Sequence, residues 1–213
     1  MGAVKDLVCQ GANVNSADAS GVNPLGRAIS ERNAGMITTL AALGADLNAA
    51  DAGGRLPIYI AARQGHVASI QALSELGVDL NTPNSSGVTP AFVAAQQGHE
   101  ATIRALGELG ADLNTPNKIG TNAACVAAYN GHEGTIRALA ELGADLNLPN
   151  RNGATPVCVA AHRGHEATVR ALLELGADVN MSNSDGITPV CIAAQEGHEA
   201  TVRALGELGA DLN

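Results

Sequence analysis

Residues Asn84 to Asn114 read NSSGVTPAFVAAQQGHEATIRALGELGADLN, and the reading of this stretch decides the fold. Asn84-Ser85-Ser86-Gly87 is turn chemistry, with a glycine able to take positive φ. Thr89-Pro90 reads as a helix N-cap followed by the first helical residue, where the missing proline N–H is no loss. The spacing predicts a two-turn helix over Ala91 to Gln97, stopped by Gly98 as a left-handed cap. A second helix opens at His99-Glu100 and runs to about Leu109, with Ile103, Leu106 and Leu109 on one face and Gly110 ending it. Glu100, Arg104 and Glu108 stand four apart, the order that favours pairing along a helix, with Glu100 at its positive end. Helices this short are marginal alone in water, so only stacking can hold them.

The unit recurs along the chain. Gly-Ala-(Asn/Asp)-(Leu/Val)-Asn starts at Gly11, Gly44, Gly110, Gly143, Gly176 and Gly209, and a Gly-Val variant starts at Gly77, always on a 33-residue step without insertion. A period of this size means one supersecondary unit repeated, each copy burying its apolar face against its neighbours. The expected layout is a single array over 1–213. It comprises a partial repeat at 1–15, second helix only through Val4 and Leu7, then full repeats at 16–48, 49–81, 82–114, 115–147, 148–180 and 181–213. Such a chain presents a surface rather than a pocket.

These motifs resemble the ankyrin repeat family. Its Thr-Pro-Leu-His hallmark is matched in part by Thr89-Pro90-Ala91-Phe92, Thr155-Pro156-Val157-Cys158 and Thr188-Pro189-Val190-Cys191. The Ala-Ala-x-x-Gly-His element recurs at Ala61 to His66, Ala94 to His99, Ala127 to His132, Ala160 to His165 and Ala193 to His198. The resemblance implies an all-α solenoid of stacked helix–turn–helix pairs with projecting hairpin-like loops and a concave binding face. The hallmark histidine is replaced by Gly26, Tyr59, Phe92, Cys125, Cys158 and Cys191, which puts its loop-bracing hydrogen bonds in question. Ala41, Ser74, Gly107, Ala140 and Gly206 stand where paired leucines are usual, and Leu43, Leu76, Leu109, Leu142, Leu175 and Leu208 follow two positions later. That shift reads as a rotated packing seam, with a partly exposed leucine stripe as the alternative. The first full repeat reads as a tolerant terminal unit, with Arg27 at a core-facing position and Arg32 in place of the glycine cap.

The formal net charge of −9 argues against non-specific binding to nucleic acid or an anionic membrane. No apolar run approaches the ~20 residues of a membrane span, and the N-terminus lacks the pattern of a secretory signal. A cytoplasmic setting is expected. The chain is expected to be monomeric, with end-to-end association open to it where the C-terminus stops without a polar cap.

Reactive chemistry finds no constellation. Cys125, Cys158 and Cys191 recur one repeat apart, roughly 8–10 Å by helix packing, too far for a disulfide or a shared zinc, so they read as buried small thiols. The His-Glu pairs at 99–100, 132–133, 165–166 and 198–199 lack the second histidine four residues on, where Ile103, Ile136, Val169 and Val202 stand. They read as structural groups at the helix junction. No phosphate loop, dinucleotide fingerprint or nucleophile elbow is present, and no cofactor or metal is expected.

Binding is written in the columns that vary while the frame holds. The turn tips carry Arg55, then Ser85, Ser86 and Val88, then Lys118 and Ile119, then Arg151 and Asn152, then Asp185 and Ile187. The exposed pairs on the first helices are Arg63-Gln64, Gln96-Gln97, Tyr129-Asn130, His162-Arg163 and Gln195-Glu196. By the resemblance, these columns line the concave groove. Arg55, Arg63, Lys118, Arg151 and Arg163 are five of the chain's twelve basic residues, opposed in these columns only by Asp185 and Glu196. The expected function is a non-catalytic scaffold that binds another protein, through an acidic or extended segment, with Tyr129 as aromatic anchor. Two other readings stay open: a targeting segment of an enzyme whose catalytic domain lies beyond Asn213, and an engineered or consensus-derived array without a natural partner. Gly134, the irregular first repeat and Asn122-Ala123 in place of Thr-Pro weigh against the last.

Overall fold

The computed structural model describes residues 12–211, so most of the expected partial repeat, with Val4 and Leu7, lies outside the described residues. Among these residues the chain forms twelve helices and no strand. They come as six pairs: α1 (Pro24–Ser30) with α2 (Ala34–Ala42), α3 (Pro57–Arg63) with α4 (Val67–Glu75), and α5 (Pro90–Gln96) with α6 (Glu100–Glu108). Then follow α7 (Ala123–Asn130) with α8 (Glu133–Glu141), α9 (Pro156–His162) with α10 (Glu166–Glu174), and α11 (Pro189–Gln195) with α12 (Glu199–Glu207). Each first helix packs on its own second helix and on the first helices before and after it, and the second helices stack in the same way.

The local chemistry explains the pairs. Asn84 Oδ1 accepts from the Ser86 and Val88 N–H groups at 2.9 and 3.0 Å, fixing the turn that Gly87 completes at φ +78°. Thr89 Oγ1 caps α5 by accepting from Phe92 N–H at 3.2 Å. The first helices bury pairs of alanines (Ala94-Ala95, Ala127-Ala128, Ala160-Ala161), which lets neighbouring helices approach closely, while Ile103, Leu106, Ile136, Leu139, Val169 and Leu172 fill the layer beneath.

The junctions between repeats use the sequence signature directly. His99, His132, His165 and His198 bring Nε2 to within 3.0–3.1 Å of the carbonyls of Arg63, Gln96, Tyr129 and His162 in the preceding repeat. Each ring lies against the left-handed glycine of that repeat. A Cβ on Gly98 would stand 2.9 Å from His132 Nδ1, so glycine is required both for φ +73° and for the ring. Asn81, Asn114, Asn147 and Asn180 add a second stitch, their Oδ1 atoms accepting from the N–H groups of Asp112, Asp145, Asp178 and Asp211 at 2.7–2.9 Å.

Several expectations need correction. Leu109 does not share the buried face of Ile103 and Leu106: α6 ends at Glu108, and Leu109 at the C-cap is 41 % exposed. The late leucine column is both seam and stripe. Leu142 packs over Gly107, where an added Cβ would meet Leu142 Cδ1 at 2.8 Å, whereas Leu76, Leu109 and Leu208 are exposed. Arg27 faces solvent and pairs with Asp18. Arg32 does the work of the glycine it replaces, adopting φ +57°. Asn122, standing where other repeats have threonine, caps α7: its Oδ1 accepts from Cys125 N–H at 2.9 Å and its Nδ2 donates to Leu148 O of the next repeat at 3.0 Å. Of the thiols, Cys125 and Cys158 are buried under the following repeats, with Cys158 Sγ 3.4 Å from Met181 O, but Cys191 is exposed because no described residue of a following repeat covers it.

Three expected outcomes follow from this packing. Thr102 is buried at the first turn of α6 and its Oγ1 has no hydrogen-bond partner. Thr102→Val removes an unpaired polar atom at constant shape and should raise stability by about 1 kcal/mol, read as a higher urea midpoint with unchanged slope; a lower midpoint would show that the hydroxyl is bonded in solution. Gly134 sits inside α8, where a Cβ would meet Glu100 Oε2, the movable end of an exposed side chain, at 2.6 Å. Gly134→Ala should therefore gain up to about 1 kcal/mol of helix propensity and slow amide exchange over 133–141 but not over 67–75.

The third concerns His66. Its Nδ1 lies 2.8 Å from Ile29 O, and Nε2 accepts from Arg32 Nε at 2.9 Å, so the buried ring has no room for a second proton. Burial, against the opposing Ile29 bond and together with the Arg32 charge, holds its pKa below the ordinary 6.5. The unfolded chain then binds more protons between the depressed value and 6.5, so stability at the first junction is full above 6.5 and is lost as pH falls through the folded value. Imidazole NMR titration should place the His66 midpoint below that of a free histidine, and Arg32→Gly should move it up.

Candidate partner-binding face

The two sides of the stack treat their charges differently. On the second helices every arginine from Arg104 to Arg170 is held twice. Arg137 reaches Glu133 one turn back and Glu174 of the next repeat, both at 3.0 Å, and Arg170 reaches Glu166 and Glu207 at 2.9 and 2.8 Å. Arg104 likewise joins Glu100 to Glu141, not to Glu108 as the spacing along one helix suggested. The Arg104 guanidinium holds the Glu141 carboxyl below its ordinary range. These side chains are committed to the frame.

The turn tips and first helices differ. Arg55 is paired with Asp51 at 2.6 Å. Arg63, Lys118, Arg151 and Arg163 are exposed, and among the described residues none of them has a carboxylate partner. Arg151 crosses the turn glycine of the preceding repeat, its Cγ 2.3 Å from where a Gly120 Cβ would stand. Arg163 lies over the Tyr129 ring with Cζ 4.6 Å from the centroid, leaving Tyr129 49 % exposed. Ile119, beside Lys118, is 67 % exposed, an apolar group held out at a turn tip.

The other expected residues fall on the same elements. Gln64, Ser85, Ser86, Gln96, Gln97, Asn130, Asn152, His162, Asp185, Gln195 and Glu196 are exposed, whereas Val88 and Ile187, each directly after a turn, are half-buried, Val88 against the core. Two clefts open between these columns. One of about 350 Å³ is lined by Arg55, Ile60, Arg63 and Gln64. The other, of about 480 Å³, brings together Tyr129, Asn152, Val159, His162, Asp185, Ile187, Gln195 and Glu196 from three successive repeats. His162 Nε2 stands 3.7 Å from Glu196 Oε1 within it.

Sequence reasoning missed the contacts that cross repeats, Arg104 with Glu141 and Tyr129 with Arg163. The signal was present as an offset of one period plus a few residues, since 37 and 34 are 33 plus four and plus one. Of reactive chemistry the structure offers little. Burial pushes the Cys125 thiol up to about 12, which removes its nucleophilic thiolate at neutral pH. Among the described residues no cluster of three His, Cys, Asp or Glu side chains could hold a metal ion, and no helix is long and apolar enough to cross a membrane.

Comparison with known proteins agrees with this architecture. A family model described as ankyrin repeats (3 copies) matches residues 1–84, 76–150 and 125–213. No curated protein matches the chain. The matches span the array from end to end, and the chain belongs to the ankyrin repeat family.

Proposed function

We propose that this chain is a non-catalytic scaffold whose turn tips and first helices form the concave face that binds an acidic or extended segment of another protein. Ankyrin repeats are generally protein–protein interaction modules. The observation that carries the finer reading is the contrast between cations: Arg104, Arg137 and Arg170 on the second helices are pinned by two glutamates each, whereas among the described residues the basic row of Arg63, Lys118, Arg151 and Arg163 has no carboxylate partner. A row left unpaired in a chain of net charge −9 is a local feature that draws in an acidic ligand and rejects a basic one. Tyr129 and Ile119 supply apolar contact beside it. The free thiols fit a reducing, cytoplasmic setting, and we infer a monomer in which the array itself is the whole binding unit.

The test is an affinity pull-down with parallel variants. Arg151→Glu with Arg163→Glu should abolish retention of the specific partner and flatten its salt dependence, while Glu108→Lys, a charge change on the second-helix side, should leave both unchanged. Retention of the partner by the double variant would move the binding face elsewhere.

A further inference from the structure

The basic row stops abruptly at the sixth repeat. There the same columns carry Asp185 at the turn tip and Glu196 at the end of α11, and both line the 480 Å³ cleft. The walls and rim of that cleft differ in character. Val159 and Ile187 give an apolar surface, and the exposed Tyr129 ring, already covered on one side by Arg163, stands at its edge. Asp185 has no cationic partner among the described residues, and Glu196 has only the imidazole of His162 at 3.7 Å. An acidic side chain entering here meets two carboxylates. A purely apolar one buries them without compensation. An arginine or lysine lays its aliphatic stem on the apolar surface and carries its charge to the carboxylate rim.

We propose that this cleft receives an arginine or lysine side chain of the bound segment and so sets the direction in which an otherwise acidic partner lies along the array. The inference rests on the reading of this face as the partner-binding face. Charge complementarity then gives a charge pattern. Successive repeats stand roughly 10 Å apart, and an extended chain advances about 3.3 Å per residue. The basic residue should therefore lie about three residues from the acidic group opposite Arg151 and Arg163, and about six from that opposite Lys118. It lies on one side of the acidic run only. An acidic peptide without it would bind in either direction. The cleft is thus a specificity element added to a row that by itself recognises only charge.

The probe is a displayed library of random sixteen-residue peptides, selected on the full chain. The expected winners carry an acidic run with arginine or lysine about three residues beyond one end. Selection on Asp185→Lys with Glu196→Lys should keep the acidic run and lose the basic residue, and a winner from the unchanged chain should bind this variant about tenfold more weakly. Winners with an acidic run but no preferred basic position, or a basic residue indifferent to the double substitution, overturn the cleft assignment and leave the acidic reading standing. Winners that also bind Arg151→Glu with Arg163→Glu overturn the reading of the face itself. A library that yields no enrichment overturns both.

Discussion

A two-helix unit of this composition cannot bury its own apolar surface, and everything else in the molecule follows from the junction that lets the next unit bury it. Helices of seven to nine residues have too few internal hydrogen bonds to persist alone. The junction supplies what they lack by three contacts of different kinds: close alanine packing between first helices, a histidine Nε2 on the carbonyl of the preceding repeat, and an asparagine carbonyl oxygen on the following loop's backbone N–H. All three act over one repeat's spacing. Stability in such an array is a sum of nearest-neighbour terms, so a defect stays local unless it breaks a stitch. Asn122 and Arg32 show how departures from the consensus are absorbed. One replaces a threonine cap and adds a bond across the junction, and the other takes a left-handed backbone conformation to keep the cap geometry.

The same junction sorts the charges. Along the second helices the step from one repeat to the next places a glutamate within reach of the previous arginine, so Glu–Arg–Glu chains run up that side with two glutamates to each arginine. Such exposed pairs contribute little individually, and the surplus of glutamate keeps that side acidic while satisfying these arginines. On the first-helix side, positions vary from repeat to repeat and no such register exists. Arg63, Lys118, Arg151 and Arg163 have no carboxylate partner among the described residues, and Asp185 and Glu196 mark where the sign changes. An acidic protein thereby holds a basic row on its turn tips and first helices.

By itself the sequence determined the repeat unit, its helices, its turns and the number of copies, because these depend on residues within one period: Thr89-Pro90, the glycine caps and the 33-residue return of Gly-Ala-Asp-Leu-Asn. It also separated varying columns from frame, which placed the candidate face on the turn tips and first helices. Tertiary structure alone decided which side chains spend their polar groups on neighbours. Leu109 and Leu142 occupy the same column, yet one is exposed and the other covers Gly107, since the difference lies in the residue one repeat earlier. Arg104 bonds Glu141 rather than Glu108, and Arg163 covers Tyr129, because the stack brings residues 34 and 37 apart in sequence into contact. A linear pattern records what recurs within a repeat. The distances between repeats, and with them the pairing of each charge, exist only once the repeats are stacked.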